Sequence, residues 1–218
     1  MSQVKHVSRV EAPPSPLVSV TVMTLPISFT PRSRRALVAL LAVALGTAAC
    51  ADPFQIRASR PNISARFELW AMSGSPVAFP SGLLVPQAEV VRLDAAGSFD
   101  LAFDIATDGR LMVWPVGSVV SPIVGTRPIG FQLTAGVYDG VLEAPAKGWT
   151  NDSLLVVGVG QSFLVKVSTQ YCQYDLRKDI YAKVQVDSVI LSERRVILSA
   201  FVNPNCGFRS FASGVPEF

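Results

Sequence analysis

Histidine is all but missing from this 218-residue chain: the one copy, His6, lies in its leading stretch. No imidazole follows it, so Ser-His-Asp and Cys-His catalysis have no general base. Zinc sites built on histidine are excluded for the same reason. Charge is also scarce, at 16% of residues against 50% hydrophobic, and wholesale disorder needs the opposite balance. The positive excess is confined to one end. Five of the 19 basic residues (Lys5, Arg9, Arg32, Arg34, Arg35) and one of the 16 acidic ones, Glu11, fall within residues 1–49. The remainder holds 14 basic and 15 acidic side chains, a net of −1, which gives it no electrostatic reason to seek nucleic acid or anionic lipid. Only three cysteines occur, none in a Cys-x-x-Cys pair, so a redox dithiol is not expected. No serine stands three residues before Lys147, Lys166, Lys178 or Lys183, and there is no Gly-x-Ser-x-Gly. Gly158-Val159-Gly160 lacks the third glycine and following helix of a phosphate loop. No cofactor is expected.

What is present begins with the leader. Arg32, Arg34 and Arg35 precede an uninterrupted run of apolar and small residues, Ala36–Ala49. As a helix this run would span roughly 21 Å, short of the ~30 Å hydrocarbon core, so it fits a secretory signal better than a membrane span. Counted from Met23 the signal has an ordinary length; residues 1–22 read as an extension or as untranslated. Ser33-Arg34-Arg35 matches part of a twin-arginine signal, but the strong hydrophobicity of the run favours general secretion. The run ends in Thr47-Ala48-Ala49-Cys50, and here the chain resembles a bacterial lipoprotein precursor. Thr47 stands where that family usually has leucine. The resemblance implies acylation of Cys50, cleavage before it, and, because Ala51 and not aspartate follows, residence in the outer membrane. Two or three acyl chains at ~0.8 kcal/mol per buried CH₂ form a firm anchor. An ordinary cleaved signal with an incidental cysteine is the other reading of the same residues.

The body carries strand-length apolar stretches, alternating or continuous, between turn signals. They are Ala65–Ala71, Ala88–Leu93, Ser98–Ile105, Arg110–Val116, Ile129–Leu133, Ser153–Val159, Ser162–Ser168, Ile180–Leu191 and Arg195–Val202. About nine short strands point to an all-β fold, an antiparallel β-sandwich or a partly closed barrel. Tyr171–Asp179 leaves room for one helical turn. The expected organisation is a leader at 1–49, a lipidated tether at 50–62 and a single β domain at 63–218.

Three hairpins are expected. In the first, Thr107-Asp108-Gly109 forms a three-residue turn with Gly109 left-handed. That register pairs Ile105 with Leu111 and Phe103 with Val113 on an apolar face, and sets Trp114 across from Ala102, flanked by Asp100 and Asp104. The second turns at Gly158–Gln161 and the third at Ser192–Arg194. With Cys50 acylated, Cys172 and Cys206 remain as an even pair in an oxidising compartment. They flank the third hairpin, where a disulfide closing its open end contributes roughly 4 kcal/mol on the chain-entropy model.

Candidate functional residues are few. Asp104-Ile105-Ala106-Thr107-Asp108-Gly109 opens like a calcium loop, but Ala106 and Pro115 occupy ligand positions, so a hairpin turn is the reading and no metal is expected. Asp100 and Asp104 share a strand face but lie roughly 13 Å apart along it, too far for a glycosidase pair without a carboxylate from another strand. Trp70, Trp114, Trp149 and Tyr138 could stack on a sugar or peptide, against the simpler reading that they pack the core. Trp149, in Pro145-Ala146-Lys147-Gly148-Trp149, has the most loop-like setting. Residues 203–209 form a polar turn at Cys206, either a recognition loop or an ordered end. Beyond the leader, the body resembles secreted lipoproteins of no assigned activity. The expected function is therefore a non-enzymatic envelope lipoprotein, binding the membrane through Cys50 and a partner protein or envelope polymer through its β domain. Trp114, Asp100, Asp104 and Trp149 are the candidate contacts. The alternative is a carboxylate-dependent glycan hydrolase built on Asp100 or Asp104.

Overall fold

The computed structural model describes residues 57–94, 99–120, 128–172 and 177–216. The leader and Cys50 lie outside the described residues. Within them, eleven strands build two antiparallel sheets. They are β1 (Ile63–Trp70), β2 (Gly82–Leu84), β3 (Glu89–Val91), β4 (Leu101–Ile105), β5 (Leu111–Pro115), β6 (Ile129–Leu133), β7 (Thr150–Asn151), β8 (Leu155–Val157), β9 (Ser162–Ser168), β10 (Asp179–Ile190) and β11 (Arg195–Asn203). One sheet runs β1-β11-β10-β9-β6-β7 and the other β3-β2-β4-β5-β8. This is a sandwich, and no barrel closes. No described helix is long and apolar enough to cross a membrane.

Side-chain alternation explains the faces. Ala182, Val184 and Val186 of β10 oppose Val202, Ala200 and Leu198 of β11 on the inner face, which Ile180 and Val196 share, all buried. A bulge between Val186 and Ser188 then switches the inward parity from even to odd. It turns Asp187 outward, where it accepts a 2.8 Å hydrogen bond from Ser199. Phe103 from one sheet and Phe131 and Phe163 from the other are fully buried between the layers. Truncating a side chain such as Leu198 there costs about 2–5 kcal/mol.

The first hairpin has the expected register, with Ile105 opposite Leu111, Phe103 opposite Val113 and Trp114 opposite Ala102. Gly109 occupies the left-handed region at φ +83. The third hairpin also forms, with Arg194 left-handed at φ 52 closing a 3-10 turn over Leu191–Glu193. The second does not form. β8 pairs with β5 in one sheet while β9 pairs with β10 and β6 in the other, so residues 158–161 carry the chain across the sandwich. Val157 must face the core from one layer and Phe163 from the other, and a tight hairpin would have left both in one sheet. Two short strands, β2 and β7, fall outside the expected strand stretches. In β2, Gly82 is closely packed: a Cβ there would come within 2.7 Å of the Leu93 side chain. Strand β4 begins at Leu101; Ser98 lies outside the described residues.

Cys172 and Cys206 form a disulfide, 34 positions apart in sequence with Cα atoms 5.7 Å apart. Cys172 ends a single 3-10 turn, Gln170–Cys172. The last residues of the segment read as a tether are fastened beside this bond. Asn205 Oδ1 accepts the N–H groups of Ser59 and Arg60, at 2.9 and 3.0 Å. Asn62 donates its side-chain amide to the carbonyls of Ser210 and Ala212. The polar turn after Asn203 is thus an ordered end built on buried asparagines, Asn203 and Asn205.

Candidate binding site

The strand registers define two ends of the sandwich. Ile63, Ile129, Ser168, Asp179 and Asn203 lie at the disulfide end, and Trp70, Leu133, Ser162, Gln185 and Arg195 at the opposite, distal end. The turns at the distal end carry large apolar side chains in solvent. Val77 is 71% exposed, Val159 57%, Leu191 56% and Leu133 51%. Phe79 joins them, its ring 4.8 Å from that of Trp70. Single exposed apolar residues on a surface are ordinary; their accumulation on the connections at one end is what marks interaction sites. Sequence reasoning passed over all five. Leu133, Val159 and Leu191 end stretches read as strands, while Val77 and Phe79 stand in the turn-like Pro76-Val77-Ala78-Phe79-Pro80.

The distal end rests on a rigid frame that joins the two sheets. Arg194, on the β10–β11 turn, places Nη2 2.8 Å from Asp104 Oδ1 on β4. Its Nε donates to the Ser73 carbonyl at 3.0 Å and its Nη1 to the Ile105 carbonyl at 3.2 Å. Asp104 also accepts the Ser73 hydroxyl, at 2.6 Å. Asp104 therefore ties the β1–β2 connection and the β10–β11 turn to β4. Asp100, fully buried, accepts the Val85 N–H at 2.8 Å and holds the 3-10 turn Val85–Gln87 near the disulfide end. The two carboxylates thus serve different structural elements at different ends of one strand. No group of three or more acidic, histidine or cysteine side chains suited to a metal occurs among the described residues.

The two tryptophans singled out by sequence are not brought together. Trp114 is half-buried against the main core, with Nε1 shielded from solvent and no acceptor among the described residues. Trp149 lies on the outer face of the other sheet. Its Nε1 donates to the Pro145 carbonyl at 3.1 Å, its ring lies 5.8 Å from that of Tyr181, and Lys166 approaches it at 5.7 Å. It belongs to a small second cluster with Ala144, Leu164, Tyr181 and Phe211. Lys183, 6% exposed, sits in this layer and donates to the carbonyls of Tyr138 and Val141, both at 3.1 Å. Its ammonium faces the rings of Tyr138, Phe201 and Phe211 at 4.6–5.8 Å. Burial pulls the Lys183 ammonium below the usual lysine range, partly offset by Asp139. Burial, then Asp139 and Asp187, pushes the Tyr138 phenol up to about 12.

Compared with protein-family models, with curated proteins and with solved structures, the chain matches none.

Proposed function

We propose that the mature chain is a non-enzymatic envelope lipoprotein of the outer membrane, anchored through acylated Cys50, whose β-sandwich binds a partner at its distal end. The observation that carries this reading is the set of exposed apolar side chains on the distal turns, Val77, Phe79, Val159 and Leu191, and at the end of β6, Leu133. Their apolar character favours a partner protein over a hydrated envelope polymer, since desolvating them is the available driving force. The hydrolase alternative finds less support, because Asp100 and Asp104 are both engaged in holding backbone and an arginine.

The test combines fractionation with cross-linking in intact cells. Cys50→Ser should release the protein from the membrane or leave an uncleaved precursor. A photo-cross-linker at Leu191 should give one discrete adduct, lost on Phe79→Ser and retained with a cross-linker-neutral change such as Arg110→Gln. A Cys50→Ser protein that still labels with fatty acid would sink the anchor. A Leu191 adduct indifferent to Phe79→Ser, or none at all, would sink the distal site.

A further inference from the structure

The disulfide end carries chemistry of a different kind. A groove of about 320 Å³ opens there, lined by Arg60, Pro61, Ile63, Pro86 and Gln87. Tyr171 and Pro204 complete its lining. An adjoining hollow of about 120 Å³ shares Arg60 and Tyr171 and adds Arg57 and Phe208. Among the described residues, no acidic side chain lines either one. The Arg60 guanidinium lies 4.8 Å from the centre of the half-exposed Tyr171 ring, and Asn205 fixes the Arg60 backbone beneath it. Arg177 is packed on Gly207, one residue beyond Cys206, and donates to the Gly207 carbonyl at 3.4 Å. Gly207 is required there: φ is +78, and a Cβ would overlap the Arg177 side chain. Three arginines are thus gathered around one disulfide in a body whose net charge is −1.

We propose that this end is a docking site for anionic phospholipid, with a lipid phosphate held by Arg57 and Arg60 and the apolar groove beside Tyr171 taking the lipid's glycerol and upper acyl region; this rests on the lipoprotein reading. Chain length supports it. Cys50 precedes Arg57 by seven residues, and an extended chain reaches at most about 3.6 Å per residue, so an anchored Cys50 keeps Arg57 within about 25 Å of the bilayer. Charge complementarity points the same way, because anionic lipid attracts basic side chains placed at its surface. A tyrosine with an apolar body and a polar tip suits that boundary. Docking gives the anchored domain a defined orientation, with the distal turns aimed away from the membrane.

The test uses the mature chain anchored in phosphatidylcholine vesicles, with and without phosphatidylglycerol, read by amide hydrogen exchange over residues 57–63 and 171–172. Mass spectrometry of the same sample reports whether Cys50 is acylated; an unacylated chain overturns the tether, and the proposal with it. With an acylated chain, exchange should slow only when phosphatidylglycerol is present, by roughly fivefold for each arginine engaged. High salt should remove the effect, as should Arg57→Gln with Arg60→Gln, both at exposed positions, whereas Arg110→Gln at the distal end should not. Equal exchange in the two kinds of vesicle overturns the proposal. Equal slowing by free inorganic phosphate on pure phosphatidylcholine vesicles overturns it too, by showing a phosphate site that needs no lipid.

Discussion

The carboxamide of Asn205 grips the backbone of Arg60 from both sides, accepting its N–H at 3.0 Å and donating to its carbonyl at 2.8 Å. Asn203 Oδ1 orients that carboxamide by accepting Asn205 Nδ2 at 2.9 Å. A buried side chain here substitutes for a neighbouring strand, satisfying backbone groups where pairing stops. Asn205→Ala should therefore cost about 1–3 kcal/mol, because buried partners lose their bonds. Hydrogen exchange at residues 59–60 should rise by more than at β10 or β11. Uniform loss of protection would show that the clamp is not local.

Removing the disulfide should weaken the same end more severely. Cys206→Ala should lower stability by roughly 4 kcal/mol on the chain-entropy model, measured by denaturant unfolding. In the intact protein, Cys172 and Cys206 should resist alkylation until reduced. Ready alkylation of both in the unreduced protein would contradict the bond.

At the distal end, Asp104→Asn should destabilise by about 1–3 kcal/mol, since Arg194 is half-buried and loses a charged acceptor. Arg194→Ala combined with Asp104→Asn should cost less than the sum of the two single changes, which a double-mutant cycle reads directly. Additive costs would show the pair is not coupled. Because both residues hold the turns that present Phe79 and Leu191, the single variants should also weaken the Leu191 cross-link.

Trp114 separates packing from binding. Trp114→Ala should cost about 2–4 kcal/mol, toward the low side of core tryptophan truncations because the residue is only half-buried. Trp114→Phe should be nearly neutral, since it removes an indole N–H that finds no acceptor among the described residues. An unchanged melting temperature for Trp114→Ala, with partner capture lost, would reassign the residue to binding.

The outer aromatic layer should fail in alkali. Tyr138 ionises near 12 when folded and near 10 when unfolded. Its contribution to stability is therefore complete below pH 10 and lost as pH rises toward 12, because the unfolded chain releases the proton first. Burial also raises Tyr181, in the same sense. Lys183 acts oppositely: its lowered folded value makes stability rise with pH just below 10.5. Tyr138→Phe should flatten the fall in melting temperature above pH 10, and an unchanged slope would exclude Tyr138 as its source.

The residues that were legible in sequence are those whose neighbours are close in the chain. Phe99, Leu101, Phe103 and Ile105 alternate with polar or small residues up to Thr107-Asp108-Gly109, so a period of two and one left-handed glycine determine that hairpin's register. Cys172 and Cys206 flank a second such hairpin, which brings their Cα atoms within bonding range. What the tertiary structure alone decided is which sheet a strand joins and where a polar side chain ends up. β8 and β9 are each apolar enough to pair with the other, yet Val157 and Phe163 fill opposite layers of one core. Asp100 alternates as though it faced solvent, but the Val85 N–H, far away in sequence, draws it inside. The grouping of Val77, Leu133, Val159 and Leu191 at one end follows from the register of strands that are far apart in sequence. Local alternation sets which way a side chain points; only the packing of two sheets against each other sets what it meets.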